Sequence, residues 1–226
     1  LPWQRSRESG PRPRGVARPL TVGLSVFFSL AALAAGACAS KAKGSDVFDV
    51  VPADASDETT YVPDAPCLVA LDSPPLLPAI HVAIGTDIIW DSNPPSSGPH
   101  YPIWAAYQTY SSPVPRGYYV HDLEHGAIVF AYNCADGDAD CAGVAAALQA
   151  ASDALPDDPL CAEEGTGVRV RTVITPDPLL DVPVAAAAWG YTYKADCVDP
   201  PSLIAFAMEH YGNGPEVLCG NGTTSF

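Results

Sequence analysis

Beyond residue 66 the chain is predicted to fold as an α+β domain: a small antiparallel sheet with two helices packed on one face, ferredoxin-like in outline, behind a Pro/Gly-rich loop region. Three observations lead there. Regular elements follow in the order strand, helix, strand, strand, helix. Short connections join consecutive strands, which favours antiparallel neighbours. About 160 residues, from Cys67 to Phe226, suffice for one hydrophobic core and not for two.

Each element has a local cause. Residues 72–115 are rich in Pro and Gly and read as loops with short strands such as Ile80–Ile84. Ala127–Tyr132 (Ala-Ile-Val-Phe-Ala-Tyr) is a compact β-type run. Gly143–Leu155 is Ala- and Leu-rich, hence helical, and Pro156 closes it. Val168–Ile174 alternates Val and Arg, the period of a half-buried strand, and Val184–Tyr193 reads as the next strand. Pro201–Tyr211 is a helix that starts after Asp199-Pro200 and stops at Gly212-Asn213-Gly214.

Residues 1–38 read as an export signal. Arg5, Arg7, Arg12, Arg14 and Arg18 form a basic head, and an uncharged apolar run from Leu20 to Ala37 ends in small residues before Cys38. A cysteine there is where a bacterial lipoprotein takes its lipid, so lipidation at Cys38 is expected ahead of simple cleavage after Ala37. Ala35 stands where such signals usually carry Leu. The run is also near the ~18-residue lower bound for a spanning helix, which leaves an uncleaved anchor open. Residues 39–66, with Asp46, Asp49, Asp54, Asp57, Glu58 and Asp64 among Pro, Ala, Ser and Thr, read as a disordered acidic tether.

Beyond Ala37, six basic side chains face twenty-five acidic ones, a difference of −19. Such a charge repels phosphate backbones and excludes nucleic acid as a partner class. The expected partner is a membrane, reached through the N-terminal lipid or signal anchor; no protein partner is indicated. Cys67, Cys134, Cys141, Cys161, Cys197 and Cys219 make an even set, as disulfides in an oxidising, extracytoplasmic setting require. The pairing is open from sequence, with Cys134–Cys141 the easiest local loop.

Chemistry concentrates in Val120-His121-Asp122-Leu123-Glu124-His125-Gly126, which follows Ser97-Gly98-Pro99-His100. Residues four apart lie roughly 13 Å apart along a strand but only about 6 Å apart on a helix. His121 and His125 can therefore share an ion only in a helical turn. Pro113, Pro115 and Gly117 before it and Gly126 after it allow a two-turn helix over Tyr118–His125. His100 is the natural third ligand, and three imidazoles suit zinc or copper. The lone Met208 gives no Met-rich copper signature.

Glu124 reads as an orienting partner of an imidazole or, in a metal-dependent hydrolase, as the catalytic general base. His-x-x-Glu-His also matches an inverted zinc-peptidase motif, but the helix is short and no clear downstream Glu-bearing helix supplies a ligand, although Glu209 is on the last helix. The third reading is a metal-free interaction module in which the histidines hold loops together. His81 and His210 read as isolated structural or exposed residues. Trp90, Tyr101, Trp104, Tyr107, Tyr110, Tyr118 and Tyr119 read as packing ahead of a ligand wall.

Asp136-Gly137-Asp138-Ala139-Asp140 spaces carboxylates as a calcium loop does. Cys141 and Ala147 stand where such a loop needs Gly and Glu, so an acidic hairpin tip is the better account.

The blocks Pro94-Pro95-Ser96-Ser97-Gly98-Pro99-His100, Pro113-Val114-Pro115 and Val120–Val129 resemble the hallmarks of the bacterial family called domain of unknown function 3105. Ala188-Trp189-Gly190 and Phe206–Glu216, with its Gly-Pro-Glu ending, are similar too. The resemblance spans about Ile80 to Val217. It implies an exported or membrane-tethered domain, implies no reaction, and maps the family's recurring histidines onto His100, His121 and His125, with Glu124 beside them. The six cysteines and the acidic tether depart from it.

Overall fold

Six strands form one sheet, in the spatial order Thr60–Tyr61, Val69–Asp72, Tyr191–Ala195, Val184–Ala188, Ile128–Tyr132 and Thr172–Pro176. The computed structural model describes residues 60–61, 66–134 and 141–226. The leader, Cys38, most of the tether and the Asp136–Asp140 tip lie outside the described residues.

The sheet is built from β1 (Thr60–Tyr61), β2 (Val69–Asp72), β3 (Ile128–Tyr132), β4 (Thr172–Pro176), β5 (Val184–Ala188) and β6 (Tyr191–Ala195). Four helices accompany it: α1 (Arg116–Glu124), α2 (Cys141–Asp153), α3 (Pro159–Glu163) and α4 (Pro200–His210).

The class is α+β as predicted, but the sheet is mixed: β3 pairs with β4 in parallel, and every other pair is antiparallel. The connection from β3 to β4 carries α2 and α3, and a crossover of that length permits parallel neighbours. The single strand expected over Val184–Tyr193 is instead the hairpin β5–β6, turned at Trp189-Gly190, where Gly190 takes φ +80°. The Ile80–Ile84 strand reduces to one bridge between His81 and His100. Thr60–Tyr61, inside the stretch read as tether, pairs with β2.

Both faces of the sheet are covered. Ile128, Phe130 and Tyr132 of β3, with Val184, Ala186 and Ala188 of β5, pack against Leu148 and Ala151 of α2 and Leu203, Phe206 and Ala207 of α4. Two helices thus share one face, as the pattern predicts. The alternate residues Val129, Ala131, Ala185 and Ala187 face Tyr119, Val120 and Leu123 of α1 on the other side. A fully buried side chain such as Phe130 or Leu123 stabilises by about 1.5–3 kcal/mol.

The disulfides are Cys67–Cys197, Cys134–Cys141 and Cys161–Cys219. Cys67–Cys197 spans 130 residues and ties β2 to the approach to α4. In the chain-entropy account, a loop of that length contributes on the order of 4–5 kcal/mol. Three disulfides point to maturation in an oxidising environment. No helix among the described residues is long and apolar enough to cross a membrane.

Candidate functional site: a histidine–carboxylate cluster at the end of α1

From Gly117 to Glu124, α1 is buried throughout, its apolar side on the sheet and its polar side beneath the loops before it. Its entry is fixed by Arg116, which donates to Asp177 at 2.9 Å and to Asn93 at 2.8 Å. It ends where the His125 N–H bonds the His121 carbonyl at 3.2 Å and Gly126 takes φ +79°. The helical turn expected for His121 and His125 is therefore present, with ring centroids 4.6 Å apart.

The histidines do not gather as the spacing suggests. His81, His100, His121 and Glu124 form one group whose ligand atoms all lie within 4.8 Å of one another. His125 instead groups with Glu124 and Glu216. His81, isolated in sequence, is brought in by the loop pairing: Val82 N–H donates to the His100 carbonyl at 2.8 Å, and His100 N–H to the Ile80 carbonyl at 2.9 Å. Its ring centroid is 4.9 Å from that of His100 and 4.8 Å from that of His121. No motif or spacing marks His81 in the sequence; only this bridge does.

The ring nitrogens are fixed by backbone carbonyls. His100 Nδ1 donates to the Gly98 carbonyl at 2.8 Å, and His121 Nδ1 to the Tyr101 carbonyl at 2.6 Å. A carbonyl can only accept, so each Nδ1 carries a hydrogen and Nε2 is the nitrogen left to face Glu124. Those nitrogens converge on one oxygen, Glu124 Oε2: His100 Nε2 at 2.9 Å, and His81 Nε2 and His121 Nε2 each at 3.7 Å. Bonds of 2.0–2.1 Å to a tetrahedral zinc would set ligand atoms about 3.4 Å apart, and these distances bracket that value. Burial, against the Tyr101 hydrogen bond and together with the neighbouring imidazoles, pushes His121 down to about 3, so its ring is neutral near pH 7.

Aromatic rings wall the cluster. Trp104 packs edge-on against His125 at 4.8 Å and lies 5.2 Å from His121, while Trp189 meets the His100 ring edge-on at 6.2 Å. Tyr110, Tyr118 and Tyr119 are core residues, with Trp90, Tyr101 and Tyr107 packed against that core. His210 stacks on Tyr191 at 4.0 Å, away from the cluster. The cleft of about 280 Å³ lined by Tyr107, Gln149, Arg169 and Thr172 shares no residue with the cluster. The half-exposed His81 side chain is where solvent reaches the site.

The sequence blocks singled out above meet at this point. Gly98 supplies the carbonyl that fixes His100, Gly190 N–H donates to the Ser96 carbonyl at 2.8 Å, and Glu216 N–H donates to the Glu124 carbonyl at 3.1 Å. A Cβ at Gly214 would collide with that same carbonyl, so the segment ending in Gly-Pro-Glu can lie against α1 only with glycine there. A family model described as a protein of unknown function (DUF3105) matches residues 81–221. The chain belongs to the DUF3105 family. No curated protein and no solved structure matches the chain. In this DUF3105 chain the match begins at His81 and takes in every residue of the cluster.

Asp122, between His121 and Glu124 on α1, sits in a different environment. Its Oδ2 accepts from the Ala105 N–H at 3.2 Å, Oδ1 has no partner among the described residues, and burial pushes the carboxyl well above the usual range. The folded state therefore keeps a proton that the unfolded chain releases. Relative to acid conditions, this costs stability as pH rises from the ordinary carboxylate value toward the raised one. Asp122→Asn, permanently neutral, is expected to be tolerated and to gain stability relative to wild type at pH 7 but not at pH 4. Thermal melts at both pH values check this; a variant destabilised chiefly at pH 7 would show that the native carboxylate is ionised.

Proposed function

We propose that this DUF3105 chain is an exported domain, anchored at the bacterial cell envelope through its N-terminus, that holds a zinc or copper ion on His81, His100, His121 and Glu124. The observation that carries the reading is the orientation of the rings. Two are locked with hydrogen on Nδ1, and three Nε2 atoms point at one carboxylate oxygen. A lone pair 2.9 Å from a carboxylate oxygen is repulsive unless a proton or a cation lies between them. One proton on His100 Nε2 would satisfy that close approach alone, whereas a single cation would also engage the other two nitrogens, which stand 3.7 Å from the same oxygen. Fixing of the outer nitrogen by a carbonyl is also how ligating imidazoles are held in metal sites. The basic leader, Cys38 and the three disulfides support export and anchoring.

A metal-dependent hydrolase is the second reading, with Glu124 as base. Solvent access past His81 favours it, while the position of Glu124 Oε2 among three imidazoles favours use of that oxygen as a ligand. Metal analysis of the full chain, purified from an oxidising compartment without a polyhistidine tag, tests the proposal. Near-stoichiometric zinc or copper is expected. No metal after incubation with either ion would sink both readings and leave the histidines as a scaffold within an interaction module.

A further inference from the structure

We infer that the chain binds a second divalent transition-metal ion on His125, Glu216 and Glu124, with Glu124 as the carboxylate shared between two neighbouring ions. The inference rests on the proposed first site only through that shared glutamate; its own ligands come from elsewhere in the fold. One ligand atom each of Glu124, His125 and Glu216 lies within 4.8 Å of the others.

The decisive feature is His125. The residue is 2% exposed, its Nδ1 donates to the Glu216 carbonyl at 2.8 Å, and its buried Nε2 has no hydrogen-bond partner among the described residues. A buried acceptor without a partner costs about 1–3 kcal/mol, and a cation removes that cost. The electron pair is available, because the carbonyl fixes the hydrogen on Nδ1.

The backbone holds this second group in place. The Glu216 N–H is tied to the Glu124 carbonyl at 3.1 Å and the His125 ring to the Glu216 carbonyl, so the last helical turn and the Gly-Pro-Glu segment are cross-linked twice. Arg171 adds a third tie, donating to the carbonyls of both His125 and Leu218. Glu124 Oε2 faces the three imidazoles, and Oε1 makes no hydrogen bond among the described residues. That leaves Oε1 available to a neighbouring ion, as in carboxylate-bridged pairs with ions about 3.5–4 Å apart.

The two sites differ in chemistry. The first offers three imidazoles and one carboxylate; the second offers one imidazole and two carboxylates, one of them on the exposed Glu216. The second is therefore the harder, wetter and weaker site, filled after the first and completed by solvent.

Zinc stoichiometry of the full chain, by equilibrium dialysis and titration calorimetry, tests the pair. The variants are Glu216→Gln and His81→Gln, chosen because both side chains are exposed enough to be changed without opening the core. Wild type is expected to take two equivalents in two steps. Glu216→Gln should take one, with the tighter step retained, and His81→Gln should weaken the tighter step. One equivalent that Glu216→Gln leaves unchanged would overturn the second site while the first stands. One equivalent lost in Glu216→Gln but kept in His81→Gln would overturn both the first site and the bridged pair. Two equivalents retained in Glu216→Gln would also remove Glu216 from the site and overturn the inference.

Discussion

His100→Ala is expected to lower zinc affinity by more than the ~10–100-fold that loss of an outer-shell partner costs. His100 is fully buried, with Nδ1 held by Gly98 and Nε2 nearest the shared carboxylate oxygen. Its loss takes away the ligand that needs least reorganisation. His81→Ala should cost less, since that side chain is half exposed and 3.7 Å from the same oxygen.

The ion should also stabilise the fold, because the four proposed ligands, His81, His100, His121 and Glu124, come from segments that only folding assembles. Zinc at about 100 times its dissociation constant adds about 2.7 kcal/mol. For a domain of this size, with roughly 2–4 °C per kcal/mol, that raises Tm by about 5–11 °C. Melts with and without zinc, in wild type and His100→Ala, check the effect. A variant that is folded without zinc and gains as much as wild type from it would place the ion elsewhere.

Arg171→Met is expected to cost on the order of 3–5 kcal/mol, as removal of one partner from a buried ion pair does. Arg171 is 2% exposed and donates from Nε to Asp158 at 2.7 Å, and from Nη1 to the carbonyls of His125 and Leu218. Tyr211 completes the node, donating to Asp158 at 2.6 Å beneath the guanidinium. Methionine fills the volume but leaves a buried carboxylate without its counter-ion and two carbonyls without this donor.

Burial alone would raise Asp158, yet the hydrogen bonds from Tyr211 and Arg171 outweigh it and hold the carboxyl below its usual value. A depressed carboxylate contributes stability that is present above its unfolded value, near 3.9. That contribution is lost as pH falls through the folded value. Urea titrations at pH 7 and pH 3 should therefore show a smaller deficit for Arg171→Met at the lower pH. An equal deficit at both would mean that the pair contributes through packing and not charge.

Local sequence signals account for β3, α2 and α4 and for the stretch on α1 where histidine and carboxylate gather. Ile128–Tyr132 is a β run whose two faces are both apolar, and Pro156, Asp199 and Gly126 mark ends that the backbone obeys. Asp199 caps α4 by accepting from the Ser202 N–H at 3.3 Å. These signals are local: the conformational preference of each residue, or a periodicity over one element, sets them.

The parallel pairing of β3 with β4, the hairpin that divides Val184–Ala195 and the disulfide partners were decided by packing between distant segments. So was the composition of the cluster. Spacing on α1 places His121 and His125 on one side of a helix, but a ligand set depends on which loops cross that side. The His81–His100 bridge brings His81 to Glu124, and the close approach at Gly214 brings Glu216 to His125. Neither approach leaves a local pattern in the chain, because each is a contact between backbones far apart in sequence. Only the folded arrangement could assign one histidine of the pair to each group.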